Sequence, residues 1–192
     1  WKPNNPPRLF YRRTVALSNA PAPARRTHVL RKVVLNTLHV FFQDFTDKEV
    51  AVVVEESDAT AEFDYESVQV ALYHLIENAA KYTAENSTLD VSFPSREGAR
   101  CILLDMVSLA MDDDEFGRIF DDGYSGEAAK RLKRNGEGVG LGIIEPILTL
   151  NDAALVVRRD VGTQRRREMN FASYQGNQFE IQFAHKESLK ES

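Results

Sequence analysis

"LYHLIENAAKYT", residues 72–83, decides how this chain is read. Its apolar residues continue a stripe of Val68, Leu72, Leu75, Ile76 and Ala79, the spacing of an amphipathic helix. Asp64 stands where an N-cap belongs, so the helix is expected over residues 65–83. His74, Asn78 and Lys81 fall at i, i+4 and i+7, on one face opposite Leu72, Ile76 and Ala79. A solvated polar face is the simpler account of His74. Asn78 needs more, because asparagine is a poor helix former whose amide competes with the backbone. An amide oxygen suits a hard cation such as Mg²⁺, which binds beside substrate phosphates. Lys81 can meet a phosphate as a point charge.

A second stretch answers the first. "RNGEGVGLGII", residues 134–144, sets Gly136, Gly138, Gly140 and Gly142 on alternate positions directly before an apolar run. Glycine costs about 1 kcal/mol in a helix interior relative to alanine. Two readings stand: a mobile surface loop, or a backbone cradle leading into a helix N-terminus that attracts phosphate. A glycine cradle and an Asn/Lys helix face together make a nucleotide site in two halves.

These residues resemble the ATP-binding domains of histidine kinases, within the GHKL or Bergerat-fold ATPases. "LYHLIENAAKYT" resembles their asparagine box, "EFGRIFDDGYSG" (115–126) their phenylalanine box, and "NGEGVGLGI" (135–143) their second glycine box. The three follow the family's order, and the likeness runs from about His28 to His185. It implies a two-layer α/β sandwich: a mixed sheet with helices on one face and a long ATP lid. It implies MgATP as the cofactor, with Asn78 as Mg²⁺ ligand and Lys81 and Tyr82 on the phosphates. His74 would orient water or a neighbouring group, making His74 and Asn78 the catalytic pair. Gly136, Gly138, Gly140, Leu141 and Gly142 would close on the phosphates, and Asp105 would accept the adenine amino group.

The departures concern the base. Where the family has Asp-x-Gly-x-Gly this chain has "DMVSLAM" (105–111), with Val107 and Leu109 at the glycine positions. Such side chains are expected to crowd the adenine or force the loop elsewhere, since the glycines let backbone approach it. "GNQF" (176–179) replaces a Gly-Thr-Thr-Phe stretch, keeping Asn177 and Gln178 as hydrogen-bonding groups. "NDAA" (151–154) replaces a paired-glycine turn.

The resemblance therefore implies the C-terminal ATP-binding catalytic domain of a sensor histidine kinase, presenting its γ-phosphate to an acceptor histidine outside this chain. His28 reads as a helix-start residue and His39 as packed on the first helix, so neither is expected to be the acceptor. The implied partners are a phosphoacceptor histidine domain and a response regulator, with room for a homodimer. The alternative is a degenerate, non-catalytic module of the same fold serving dimerisation or partner binding. An ATPase that drives conformational change is disfavoured, since that group usually carries glutamate at the His74 position.

Composition agrees with a soluble domain. The 192 residues are 43% hydrophobic and 28% charged, ordinary values for a globular protein. A net charge of −5 and pI near 5.5 argue against nucleic-acid binding. The single cysteine, Cys101, excludes a disulfide framework and reads as a small buried residue. The sequence shows no membrane span and no signal peptide, and a cytoplasmic setting is expected. Starting at Trp1, the chain reads as a fragment. Prolines mark residues 1–27 as a tail or linker, 28–186 as the domain and 187–192 as a frayed end. Further elements expected are a helix over 28–45, a strand in "EVAVVVEES", a hairpin of "TLDVSF" and "RCILLDMV", a helix near 141–150, and strands in "AALVVRRDV" and "NQFEIQFAH". "MDDDE" (111–115) reads as an acidic first helical turn rather than a metal site.

Overall fold

The computed structural model describes residues 8–9, 23–121, 124, 126, 130, 140–161, 167–169 and 172–184. In chain order its elements are β1 (Arg8–Leu9), β2 (Arg26–Val29), α1 (Leu30–Leu38), a 3-10 turn (His39–Phe41), α2 (Phe42–Asp47), β3 (Ala51–Val54) and β4 (Thr60–Phe63). They continue with α3 (Tyr65–Tyr82), β5 (Thr88–Ser92), β6 (Ser95–Arg96), β7 (Ala99–Leu109) and α4 (Asp113–Arg118). The last are α5 (Gly140–Leu150), β8 (Ala153–Arg159), β9 (Arg167–Met169) and β10 (Ala172–Phe183).

The main sheet runs β1-β8-β10-β7-β5-β3, with β6 on β7 and β9 on β10. Among the described residues β3 and β5 pair in parallel and the other neighbours antiparallel, so the sheet is mixed, as the sequence implies. Its inner face offers Leu89, Val91, Ile102, Leu104, Leu155, Val157, Phe179, Ile181 and Phe183 to α1, α3 and α5 in one core. Strand side chains alternate between faces, which is why these positions fall two apart along each strand. The result is a two-layer α/β sandwich. The β6–β7 turn is Glu97–Gly98, both at positive φ (49° and 87°), the geometry of a tight two-residue hairpin.

Two sequence expectations change here. The first helix is not continuous: Arg26–Val29 forms a strand with β4, and the helix begins only at Leu30. His28 is therefore a strand residue, its ring 5.0 Å from that of Phe63 and 5.3 Å from that of Tyr65. The 3-10 turn keeps Phe41 and Phe45 inward, while Phe42 is 67% exposed and His39 is exposed rather than packed. The last strand is also longer than expected, because "ASYQG" joins it. Ala172 and Tyr174 bury on one face and Gln175 and Asn177 on the other, so no single apolar stripe betrays it.

Candidate functional site

Asp64 caps α3 as expected, accepting from the Ser67 backbone N–H at 2.9 Å. The same residue donates its own N–H to Asn151 Oδ1 at 2.7 Å, and Asn151 Nδ2 donates to Ser67 Oγ at 2.9 Å and to Ile147 O at 2.9 Å. Asn151 is 1% exposed and sits just past the end of α5. It thereby clamps the C-terminal end of α5 to the N-terminal end of α3, and the two packed helices run antiparallel. Counting back from Asn151 at about 1.5 Å per residue, Gly140 and Gly142 come level with the α3 turn that carries His74 and Asn78. "NDAA" replaces the glycine pair by giving Asn151 these bonds and letting Asp152 take the positive φ of 50°.

On that turn the polar face is partly buried. His74 and Asn78 are both partly buried, and neither His74 Nδ1 nor Asn78 Nδ2 has a hydrogen-bond partner among the described residues. Glu77 Oε2 lies 3.6 Å from His74 Nδ1, too long for a hydrogen bond. Lys81 Nζ donates to Glu77 Oε1 at 2.9 Å. Buried polar groups in native folds are nearly always partnered, and one that is not calls for a reason. Leu141 and Gly142 are half-buried at the start of α5, with Leu141 against the main core. Gly136 and Gly138 lie outside the described residues. So do the basic residues Arg131, Lys133 and Arg134 just before them.

Tyr82 and Asp105 are not brought to this turn. Tyr82 packs against a second cluster of Ala84, Val107, Leu109, Ala172 and Tyr174, and burial pushes its phenol above the usual range. β7 runs straight through Asp105 to Leu109, paired with Gln178 to Tyr174 of β10, with no loop at the positions of the missing glycines. Leu104 and Met106 face the helices, so Asp105, Val107 and Leu109 face away from them. Asp105 accepts from Gln178 Nε2 at 3.1 Å on that outer face. Val107 and Leu109, expected to crowd the adenine, pack into the second cluster.

What does face the helices there is Met106, Ser108, Gln175, Asn177 and Arg159, a set the sequence analysis largely missed. Asn177 is fully buried and donates to Ser108 Oγ (2.8 Å) and Leu109 O (3.2 Å), while Gln175 Nε2 donates to Asn177 Oδ1 (3.1 Å). Arg159 donates to Met111 O at 2.8 Å, pairs with Asp113 and lies 4.8 Å over the Phe116 ring. The acidic run acts as a helix start: Asp112 accepts from Glu115 N–H at 2.7 Å. Among the described residues no cluster of three His, Cys, Asp or Glu could hold a metal. A Mg²⁺ carried by phosphates needs none, since it keeps waters and takes one or two protein ligands.

No protein-family model matches the chain. It is 24% identical over 134 residues to the probable sensor kinase SilS of Salmonella typhimurium, covering 68% of this chain and 27% of that protein. It is 26% identical over 132 residues to the sensor protein CzcS of Cupriavidus metallidurans, covering 68% of this chain and 28% of that protein. The match thus spans little more than a quarter of each curated relative. Among solved structures, the mycobacterial sensor histidine kinase MprB superposes with a TM-score of 0.67 at 15% identity, over 83% of this chain and 97% of that one. The catalytic domain of histidine kinase ThkA gives 0.63 at 14% identity, over 83% and 94%. Full-length ShkA in complex with AMPPNP gives 0.64 at 18% identity, over 85% and 32%. The chain is similar in sequence to sensor kinases, and its fold is that of histidine kinase catalytic domains.

Proposed function

We propose that this chain is the ATP-binding catalytic domain of a sensor histidine kinase and binds MgATP at the turn shared by α3 and α5. One observation carries the reading. The Asn151 clamp sets the glycine-bearing start of α5 level with His74 and Asn78, whose buried nitrogens lack partners among the described residues. The unpartnered Asn78 amide nitrogen is a donor that suits a phosphate oxygen, and its carbonyl oxygen is the atom that suits a hard cation. Asn78 would hold Mg²⁺, Lys81 would meet a phosphate oxygen, and His74 would orient a neighbouring group or water. The backbone N–H groups at Gly140–Gly142, with Gly136 and Gly138 before them, would face the phosphates as a helix start does. MgATP supplies the transferable phosphoryl group; the protein's share is to hold and neutralise it, as in phosphoryl transfer generally. The likeness to ShkA, solved with AMPPNP, supports a nucleotide at this fold's site. The acceptor histidine domain and response regulator would lie outside the chain, in a cytoplasmic setting.

Calorimetric titration with ATP, with and without magnesium, tests this. Magnesium-dependent heat is expected; none at millimolar ATP would refute the reading. The closed Ser108–Gln175–Asn177 network, with Asp105 turned outward, favours a second reading: a module that keeps the fold for partner binding and has lost its nucleotide. The same titration separates the two.

A further inference from the structure

Where the end of α3 meets the sheet, Thr83 bridges to Ser108 of β7, and its Oγ1 lies 3.2 Å from the Met106 sulfur. Thr83 is about 7–8 Å beyond Asn78 along the helix axis. Gln175 of β10 stands directly across from Ser108, roughly 10 Å from Thr83 at two strand spacings. It shares the helix-facing side of the sheet with Asn177 and Phe179. A nucleoside triphosphate with its phosphates at the Asn78 turn has Gln175 within reach of its base. Asp105 faces the opposite side of the sheet, bound by Gln178.

The hydrogen bonds around Gln175 fix which of its atoms is spare. Asn177 Nδ2 donates to Ser108 Oγ (2.8 Å) and Leu109 O (3.2 Å), which sets that amide's orientation. Asn177 Oδ1 is left to accept from Gln175 Nε2 at 3.1 Å. Turning the Gln175 amide over would set two carbonyl oxygens against each other. The network is thus closed to itself except at one end. Asn177 Oδ1 and Ser108 Oγ each accept one bond already, whereas no described residue donates to the Gln175 carbonyl. Gln175 is 2% exposed, and polar groups at such depth are nearly always partnered. The group this oxygen lacks is a donor, and adenine's exocyclic amine is one.

We propose that the Gln175 side-chain carbonyl, and not Asp105, is the acceptor that reads the exocyclic amine of adenine. The inference rests on the nucleotide-binding reading above. Hypoxanthine carries an oxygen where adenine carries that amine, so MgITP would set one acceptor against another. Calorimetric titration of the full chain is expected to show MgATP binding at least about tenfold more tightly than MgITP. In Gln175→Met, which keeps the side-chain length and loses the carbonyl, the two should bind within about threefold of each other. Magnesium tripolyphosphate, which has no base, should bind wild type and variant alike, with a melting curve to verify folding. Equal affinities for MgATP and MgITP in the wild type overturn the inference and leave the nucleotide reading standing. A preference for MgATP that survives in the folded variant overturns it as well, since another residue then reads the amine. A parallel loss of tripolyphosphate binding in the variant also overturns it, making Gln175 a structural residue. No binding of any of the three by the wild type overturns the nucleotide reading and the inference with it. If the variant does not fold, the Gln175 side-chain amide resonances of the wild type decide. They are expected to shift with MgATP and not with MgITP, and equal responses overturn the proposal.

Discussion

At the scale of one residue, Asn78 sets helix propensity against a buried amide. Its amide nitrogen is buried without a partner among the described residues, and asparagine is a weaker helix former than alanine by about 0.5 kcal/mol. Asn78→Ala should therefore leave the melting temperature unchanged or raise it by about 1–2 °C, while removing the magnesium dependence of nucleotide binding. A sharp drop in melting temperature would make Asn78 a structural residue. Cys101 offers a simpler case. Burial and the nearby Glu180 carboxylate push its thiol up to about 12. It should resist alkylation at pH 8 in the folded protein and react once the protein is denatured.

At the scale of the element, β7 reverses what its sequence suggests. Read against the family, Val107 and Leu109 obstruct a base, and glycine there would open the pocket. In the folded strand they are 4% and 7% exposed in the second cluster, across the sheet from the helices. Val107→Gly should thus cost about 2–4 kcal/mol through the cavity left and the weakened strand. ATP affinity should not improve. Chemical denaturation and titration of the same variant test both halves, and tighter ATP binding would place Val107 at the base after all. The α3 cap and stripe were legible in the sequence because helical spacing and capping are local. The face that Asp105 occupies was not, because strand parity depends on whether the chain turns or continues after it.

At the scale of the whole molecule, the outer face of the sheet sets the acid limit of stability. Glu180 is fully buried there. Burial pushes its carboxyl up, but Gln182 (2.6 Å), Arg158 (2.8 Å) and Arg96 (3.3 Å) outweigh this and hold it below the ordinary glutamate value. Asp64 is lowered by the Ser67 backbone and hydroxyl. Carboxyls depressed in the fold add stability that is full above their unfolded values, about 3.9 for Asp and 4.3 for Glu, and fades as pH falls through the folded ones. Glu180→Gln should cost about 1–3 kcal/mol near neutral pH by leaving the arginines short of their acceptor. The deficit should shrink as pH falls below the ordinary glutamate value of about 4.3, since the charge that the arginines hold in the wild type is then lost in turn. Melting curves across that range decide it; a deficit constant with pH would rule out the charge as its cause.

The asparagine helix with its cap, the glycine-rich stretch before α5 and the mixed sheet beneath them were legible in the residues alone. Those features are written in spacings of a few residues, where backbone periodicity alone fixes what faces what. That Asn151 ties the C-terminal end of α5 to the N-terminal end of α3 depends on contacts 84–87 residues apart in the chain. Strand pairing likewise puts Asp105, Val107 and Leu109 on the side of the sheet away from the helices. The physical reason is the two-residue period of a strand. Once β7 gains partners in β10 as far as Tyr174, pairing holds it straight through positions where glycine would have let it turn, and every later side chain takes the face that parity assigns.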